Sequence, residues 1–492
     1  MGTHIGIMRC TEGDMRKFLY MMAVVSALLS SCSQSLEDKV TQRYAGGCPI
    51  YPDYMDVTIP VNIAPLNFDY TDPASENAVT TFTGGGMSIS FKGSEIRWNR
   101  KRWQKLLENS AGGAINVRCS APDTSWSLYV SPDEIDYGLT YRLIEPGYEL
   151  YSKMGVYERE LSSYRQTALI ENTDVDGCIN CHSFNRCDPS DMSLHIRGDH
   201  GATLLRLDGK MEAYDTKTDH TAGLCVYPYW HPEGRFIAYS TNNTRQVFHT
   251  LPDKLIEVFD LSSDMLIYDT RTGRLIDNGP VCLKDAWETF PSFSPDGRTL
   301  YFCRAEAKPI PDSLKSVRYD LCSIDFNPGD GSVGDSVKVL VAASETGHSV
   351  SFPKPSFDGR YIMYTLSDYG QFSIWHHEAD LWLYDTASGK SRRLDEVNSG
   401  DTESYHNWSS TSRWFVFSSR RDDGLFTRPY FAHIDAEGNI GKPFMLPQEA
   451  PLRFYSNLFF SYNIPEFVTG DVKFNHVRAA RLLNAKKRIP FK

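Results

Sequence analysis

Phe290-Pro291-Ser292-Phe293-Ser294-Pro295-Asp296-Gly297-Arg298 is the stretch that decides the fold. An aromatic-Pro-x-aromatic segment, an Asp-Gly pair and then a β-rich run at residues 299–303 read as a hairpin: an inner strand, a tight turn and a returning strand. The signature recurs at Tyr227-Pro228-Tyr229-Trp230-His231-Pro232-Glu233-Gly234-Arg235 and at Phe352-Pro353-Lys354-Pro355-Ser356-Phe357-Asp358-Gly359-Arg360. A worn copy is Tyr405-His406-Asn407-Trp408-Ser409-Ser410-Thr411-Ser412-Arg413. A second pattern follows each copy, an apolar strand that in its clearest form ends in an Asp-x-x-x-Gly turn, as at Asp269 to Gly273 and Asp385 to Gly389. Units of several strands repeated at a fixed period predict the four-stranded blades of a β-propeller. Gly234, Gly297 and Gly359 are 63 and 62 residues apart. A minimal blade needs only about 40–45, so these blades carry insertions, one of them around residues 242–261.

The pattern extends in both directions. Residues 153–163 resemble a third strand. Cys181-His182-Ser183-Phe184 falls where the next aromatic-Pro-x-aromatic strand belongs, with residues 192–196 as its return and 203–210 beyond. Residues 455–467 supply a strand able to close the first blade. The expectation is a mainly β chain with a propeller of six blades, seven being the alternative, over residues 139–475, followed by a tail at 476–492. Residues 48–138 read as a small β-rich accessory domain, with strands at Met87–Lys92, 114–119 and 126–131. It includes a helix over 97–109 that turns Trp103, Leu106 and Leu107 to one face. The Pro-x-aromatic-Ser-Pro-Asp-Gly-Arg signature resembles the TolB-like, WD-repeat-like propellers of bacterial envelopes, over roughly residues 140–475. A propeller offers an enclosed channel and docking faces built from loops.

At the N-terminus, Arg16 and Lys17 precede an apolar run from Phe18 to Leu29, and then comes Leu29-Ser30-Ser31-Cys32. Charge, a dozen apolar residues and small residues before a cleavage point make an export signal, too short for a comfortable membrane span of about 20 residues. The ending resembles a bacterial lipobox, which implies cleavage before Cys32, lipidation of that cysteine and anchorage to a membrane. Residues 1–32 are then leader and signal, with Met15 as the expected start, and 33–47 a polar tether. Ser33 after the cysteine resembles outer-membrane lipoproteins of Gram-negative bacteria. Glu37 and Asp38 resemble early acidic surface-export signals. The net charge of −11 argues against a nucleic-acid partner, which needs a basic face.

Cys178-Ile179-Asn180-Cys181-His182 is the one sharp chemical motif. Two thiols three positions apart suit thioether bonds to the vinyl groups of a haem, and the adjacent histidine suits the iron, so one covalent c-type haem is expected. Gly177 would permit entry to a short helical turn. Met192 is the candidate distal iron ligand, on condition that it lies in a protruding loop. On a strand paired with His182 it would be only about 5 Å away along the sheet, too near to sandwich a macrocycle. His195, His200 and His406 are further candidates, the last in the repeat position equivalent to His182. Competing readings are zinc held by Cys178, Cys181, His182 and Cys187, or a structural or redox disulfide.

Hydrolase chemistry finds little footing. Gly347-His348-Ser349-Val350-Ser351 lacks the closing glycine of a nucleophile elbow, and no phosphate loop or Rossmann fingerprint is present. Electron transfer or redox sensing with a protein partner is the leading expectation. A protein- or glycan-binding scaffold with a merely structural cysteine pair is the rival, and a haem peroxidase-like enzyme the third.

Overall fold

The computed structural model describes residues 48–145, 153–218, 221, 223–249, 255–276 and 279–492. The signal, Cys32 and the tether lie outside them. Among the described residues no helix is long and apolar enough to cross a membrane.

The repeat folds as expected into a propeller of six four-stranded blades, numbered here from the one that contains both ends of the ring. Blade 1 joins Ser461–Val468 to Gly138–Ile144, Gly155–Glu160 and Gln166–Glu171, so the last strand of the ring is the innermost strand of the first blade. Blade 2 is Cys178–Asn185, Asp188–Arg197, Ala202–Leu207 and Lys210–Asp215, with Ile489–Pro490 added in parallel on its outer edge. Blades 3 to 6 begin with Cys225–Trp230, Ala286–Phe293, Ser349–Pro355 and Glu403–Trp408.

The hairpin turns show why Asp-Gly recurs. In blade 4, Ser294 Oγ donates to Asp296 Oδ1 and accepts from Thr299 N at 3.0 Å, while Gly297 takes φ 68° and donates its N–H to Ser294 O. The prolines on the innermost strands have an equally local reason. Register slips between Val226 and Tyr229, Thr289 and Ser292, and Ser351 and Lys354, so each aromatic-Pro pair forms a bulge where no ladder N–H is needed.

The insertion near residues 242–261 is a two-stranded ribbon. Phe236–Phe248 and Ile256–Asp269 stay paired from Phe236↔Asp269 out to Phe248↔Ile256 and stand over one mouth of the central channel.

Residues 48–131 form a five-stranded and a three-stranded sheet with one α-helix, Arg100–Ser110, and a short 3-10 helix, Pro73–Asn77. The α-helix starts three residues later than the periodicity predicts because the Asn99 side chain accepts from Lys101 N and Arg102 N and caps it there. Trp103, Leu106 and Leu107 are buried as expected. Their apolar cluster runs on without interruption into blades 1, 5 and 6, through Tyr141, Tyr361, Trp408 and Phe431.

Candidate cofactor site at the channel mouth

The Cys-x-x-Cys-His motif occupies the innermost strand of blade 2. This corrects the expected helical turn. The turn comes earlier, at Asn172–Val175, and the chain swings through Asp176 (φ 47°) and Gly177 directly into the strand. A Cβ on Gly177 would lie 2.8 Å from the Arg197 carbonyl oxygen, so only glycine fits. Cys178 then pairs with Arg197 and His182 with Leu194, with Asn180 and Cys181 bulged between them. In the neighbouring blade the bulge spans Tyr227 and Pro228. It therefore falls one residue earlier in blade 2, where His182 keeps the N–H that proline lacks.

The bulge points the motif in two directions. Cys178, Asn180 and Cys181 line a cavity of about 380 Å³ at the channel mouth, walled on the far side by the ribbon residues Thr244, Gln246 and Phe248. That volume falls within the roughly 300–1,000 Å³ of small-molecule and cofactor sites. No disulfide joins any of the nine described cysteines. Burial raises the Cys178 thiol pKa, against the fields of Arg142 and Arg197.

Cys181 also belongs to a ring of six side chains, with Tyr227, Phe290, Phe352, Tyr405 and Ile464, that narrows the channel below the mouth. The aromatic members contact one another at centroid distances of 4.6, 4.4 and 4.9 Å around the ring.

His182 lies on the inner side of that ring and lines the small channel cavity rather than the mouth. It is 1% exposed, and neither ring nitrogen has a hydrogen-bond partner among the described residues. Burial, helped by the positive field of Arg142, pushes its pKa down to about 3; the Thr140 carbonyl works against the shift without bonding in acceptable geometry. The imidazole is therefore neutral with an open lone pair. His406 sits in the same position on blade 6 and lines the same channel, as its place in the repeat suggests, but its Nε2 donates to Met363 O at 2.9 Å.

The distal-ligand expectation at Met192 needs correcting. Met192 lies on Asp188–Arg197, in register with Phe184 of the motif strand, and is buried in an apolar cluster with Ile179, Leu194 and Ile196. This is the paired-strand arrangement that leaves no room for a macrocycle between it and His182. His195 is also buried, with Nδ1 against Thr203 Oγ1 at 3.1 Å. Neither His195 nor His200 lines the mouth cavity. Cys187 lines the opposite opening of the channel, beside Arg186 and Phe357. Among the described residues no three His, Cys, Asp or Glu side chains are grouped as a metal ion requires.

Sequence reasoning missed the cations of the mouth. Arg142 of blade 1 is 9% exposed and donates to Asn180 Oδ1 at 2.7 Å, gripping the middle of the motif, while its Nε is unpartnered. Arg197 stands opposite Cys178, and Arg420 of blade 6 stacks 3.3 Å over the Trp375 ring. Burial pulls the Arg420 pKa down to about 9. The signal was an arginine inside the otherwise strand-forming run Gly138-Leu139-Thr140-Tyr141-Arg142-Leu143-Ile144. Deeper in the channel, Glu466 accepts from Phe184 N at 3.0 Å and faces Lys354; burial raises its pKa to about 7.

Two arrangements that resemble hydrolytic machinery are structural. Ser349 Oγ donates to Gly370 O, and Ser351 Oγ pairs with Ser373 Oγ. Ser131 and Asp133 both approach the same nitrogen, Nε2, of His433, so no relay through the ring is possible.

No family model matches the chain, and no curated protein matches it in sequence. Solved structures similar to it are propeller proteins. TolB from Acinetobacter baumannii is 13% identical with a TM-score of 0.41, over 72% of this chain and 78% of that one. A periplasmic gluconolactonase from Pseudomonas aeruginosa is 12% identical with a TM-score of 0.38, over 76% and 97%. An oligogalacturonate lyase from Vibrio parahaemolyticus is 12% identical with a TM-score of 0.32, over 58% and 85%. At these identities and TM-scores the likeness carries no functional information.

Proposed function

We propose that this propeller is an exported, membrane-anchored lipoprotein that carries one c-type haem at the channel mouth and serves electron transfer or redox sensing. Cys178 and Cys181 would hold the haem through thioethers, and His182 would ligate its iron. Lipid on Cys32 would tether the protein to the outer membrane. The observation that carries this reading is the placing of both thiols on one wall of the mouth cavity; His182, next in the chain, faces the channel below it, and neither of its ring nitrogens has a hydrogen-bond partner among the described residues. No hydrogen bond has to break for His182 to become a ligand, although its ring must leave the channel side for the mouth. Bound there, the haem would supply a one-electron couple. Arg142 would fix the backbone between the two thiols through Asn180. The ribbon and the aromatic ring would limit water at the site, and the rigid blades would hold it at a docking face.

A second reading has its own support. The motif strand stands where other blades carry aromatic-Pro, and His406 in the equivalent position is held by a backbone carbonyl. On that view the cysteines are ordinary strand residues, and the mouth recognises a protein or glycan of the envelope.

Absorbance of the protein matured outside the cytoplasm decides between them. A reduced c-type spectrum that survives acid-acetone extraction, and is lost in Cys178→Ala and Cys181→Ala, is the expected result. A colourless protein with both motif thiols open to titration would leave the recognition reading alone. If haem is present, peroxide turnover would mark an enzyme rather than a carrier.

A further inference from the structure

The mouth cavity is charged against the rest of the molecule. The chain carries a net −11, yet Arg142, Arg197 and Arg420 all line this cavity, and among its described lining residues Glu145 is the one carboxylate. Each arginine comes from a different blade, so no local pattern placed them together. Two of them are held nearly out of solvent, at 9% and 2% exposure for Arg142 and Arg420. Burying a guanidinium is expensive unless a partner returns the lost hydration. The partners present return only part of it. Arg142 donates to Asn180 Oδ1 at 2.7 Å and to Ile179 O at 3.5 Å but leaves Nε unpartnered, and Arg420, with the carbonyls of Ile374 and Leu425, the Trp375 face and the fields of Asp401 and Asp423, is the better compensated of the two. Between the cations the wall is apolar and aromatic: Phe248, Phe372 and Trp375.

We infer that the channel mouth is a binding site for a flat, apolar organic anion, whose acidic group is taken by Arg142 and Arg197 while its body lies against Phe248 and Trp375. A porphyrin dicarboxylate belongs to this class, and so does a small aromatic acid. The inference shares a cavity with the haem proposal but does not depend on covalent attachment. Thioether carbons and propionates project from opposite edges of a haem. The guanidiniums beside Cys178 therefore suit a separate or non-covalent anion better than the propionates of a haem bonded at that cysteine. Arg420, contributed by blade 6, is the cation free of that restriction.

The test uses the mature chain made in the cytoplasm, where no haem is attached. It is titrated with two anions and their uncharged counterparts: 8-anilinonaphthalene-1-sulfonate against N-phenyl-1-naphthylamine, and protoporphyrin IX against its dimethyl ester. Arg142→Gln and Arg197→Gln are expected to weaken at least one anion about tenfold or more, the loss of a charge-assisted hydrogen bond, and to leave the uncharged counterpart unchanged. Which anion responds distinguishes a porphyrin from a small acid as the ligand. Urea midpoints of the variants report folding, and Arg197→Lys, which keeps the charge, is expected to retain most of the affinity. Equal weakening of charged and uncharged ligands, or no weakening of either anion in folded variants, overturns the inference. Failure of the haem proposal is read separately, from acid-acetone extraction of the wild-type protein matured outside the cytoplasm.

Discussion

The buried histidines set the chemistry at the level of single residues. His182, His195 and His406 are each held near a pKa of about 3, with burial as the largest cause. An unfolded chain protonates such a ring at about 6.5, so between those values the unfolded state binds more protons. Stability contributed by each ring is complete above about 6.5 and is lost as pH falls, by about 1.4 kcal/mol per unit. Buried Asp260, Glu288 and Glu466, each raised to about 7, act in the opposite sense and are penalised as pH rises toward 7. The wild-type profile therefore mixes both, and a single variant separates them. His195→Asn is expected to gain on the order of 2 kcal/mol relative to wild type between pH 7.5 and pH 5, read from urea midpoints. Met192→Leu is a second test: as a core residue it should cost less than about 1.5 kcal/mol and leave any haem spectrum unchanged, whereas an iron ligand would shift the spectrum.

At the level of elements, the Asp-Gly hairpins were legible because a turn is chosen by a few adjacent residues. What the turn packs against was not. Gly209 and Gly297 both take a positive φ, 74° and 68°. A Cβ on Gly209 meets nothing within 4 Å, while one on Gly297 would lie 2.2 Å from His231 Nε2. His231 is buried, with that nitrogen against Gly297 O at 3.1 Å. Gly209→Ala is therefore expected to cost about 1–2 kcal/mol, the left-handed backbone penalty alone. Gly297→Ala should cost at least about 3 kcal/mol, because a buried side chain must also move. Thermal unfolding of the two variants side by side checks the difference. The innermost strands give the same lesson. The repeat located the motif strand and the facing of its positions: Cys181 lines the mouth as Tyr227, Tyr405 and Ile464 do, and His182 the channel as His406 does, while the one-residue displacement of the bulge appeared only in the strand pairing.

Across the whole molecule, two closures hold the ring. Ser461–Val468 completes blade 1, and the tail returns to wedge Phe491 between blades 2 and 3, where its ring stacks on Tyr268 at 4.0 Å with 6° between planes. Phe491→Ala is expected to lower stability by about 3 kcal/mol. The N-terminal part is joined to blade 6 by more than apolar contact: Ser131 Oγ, at the end of its last strand, pairs with His433 Nε2 at 3.1 Å, and in the segment just beyond, Trp414 Nε1 donates to Asp133 O at 3.1 Å and Ser410 N to Asp136 Oδ2 at 2.8 Å. With one apolar cluster running through both parts, residues 48–492 should unfold in a single calorimetric transition that coincides with loss of near-ultraviolet dichroism; two separated transitions would show that the parts fold independently.

The amino-acid sequence alone determined the four-stranded repeat, the candidate closing strand and the place of Cys181 and His182 in an innermost-strand position, with six blades or seven left open. These follow from strand period and turn residues, which act over a few positions. The structure decided on six blades and carried the strand back to Cys178. Only the tertiary structure decided that three arginines from three blades surround two thiols and that Met192 is core. Those relations exist only once the ring has closed, because residues hundreds of positions apart meet there and no local preference records the meeting.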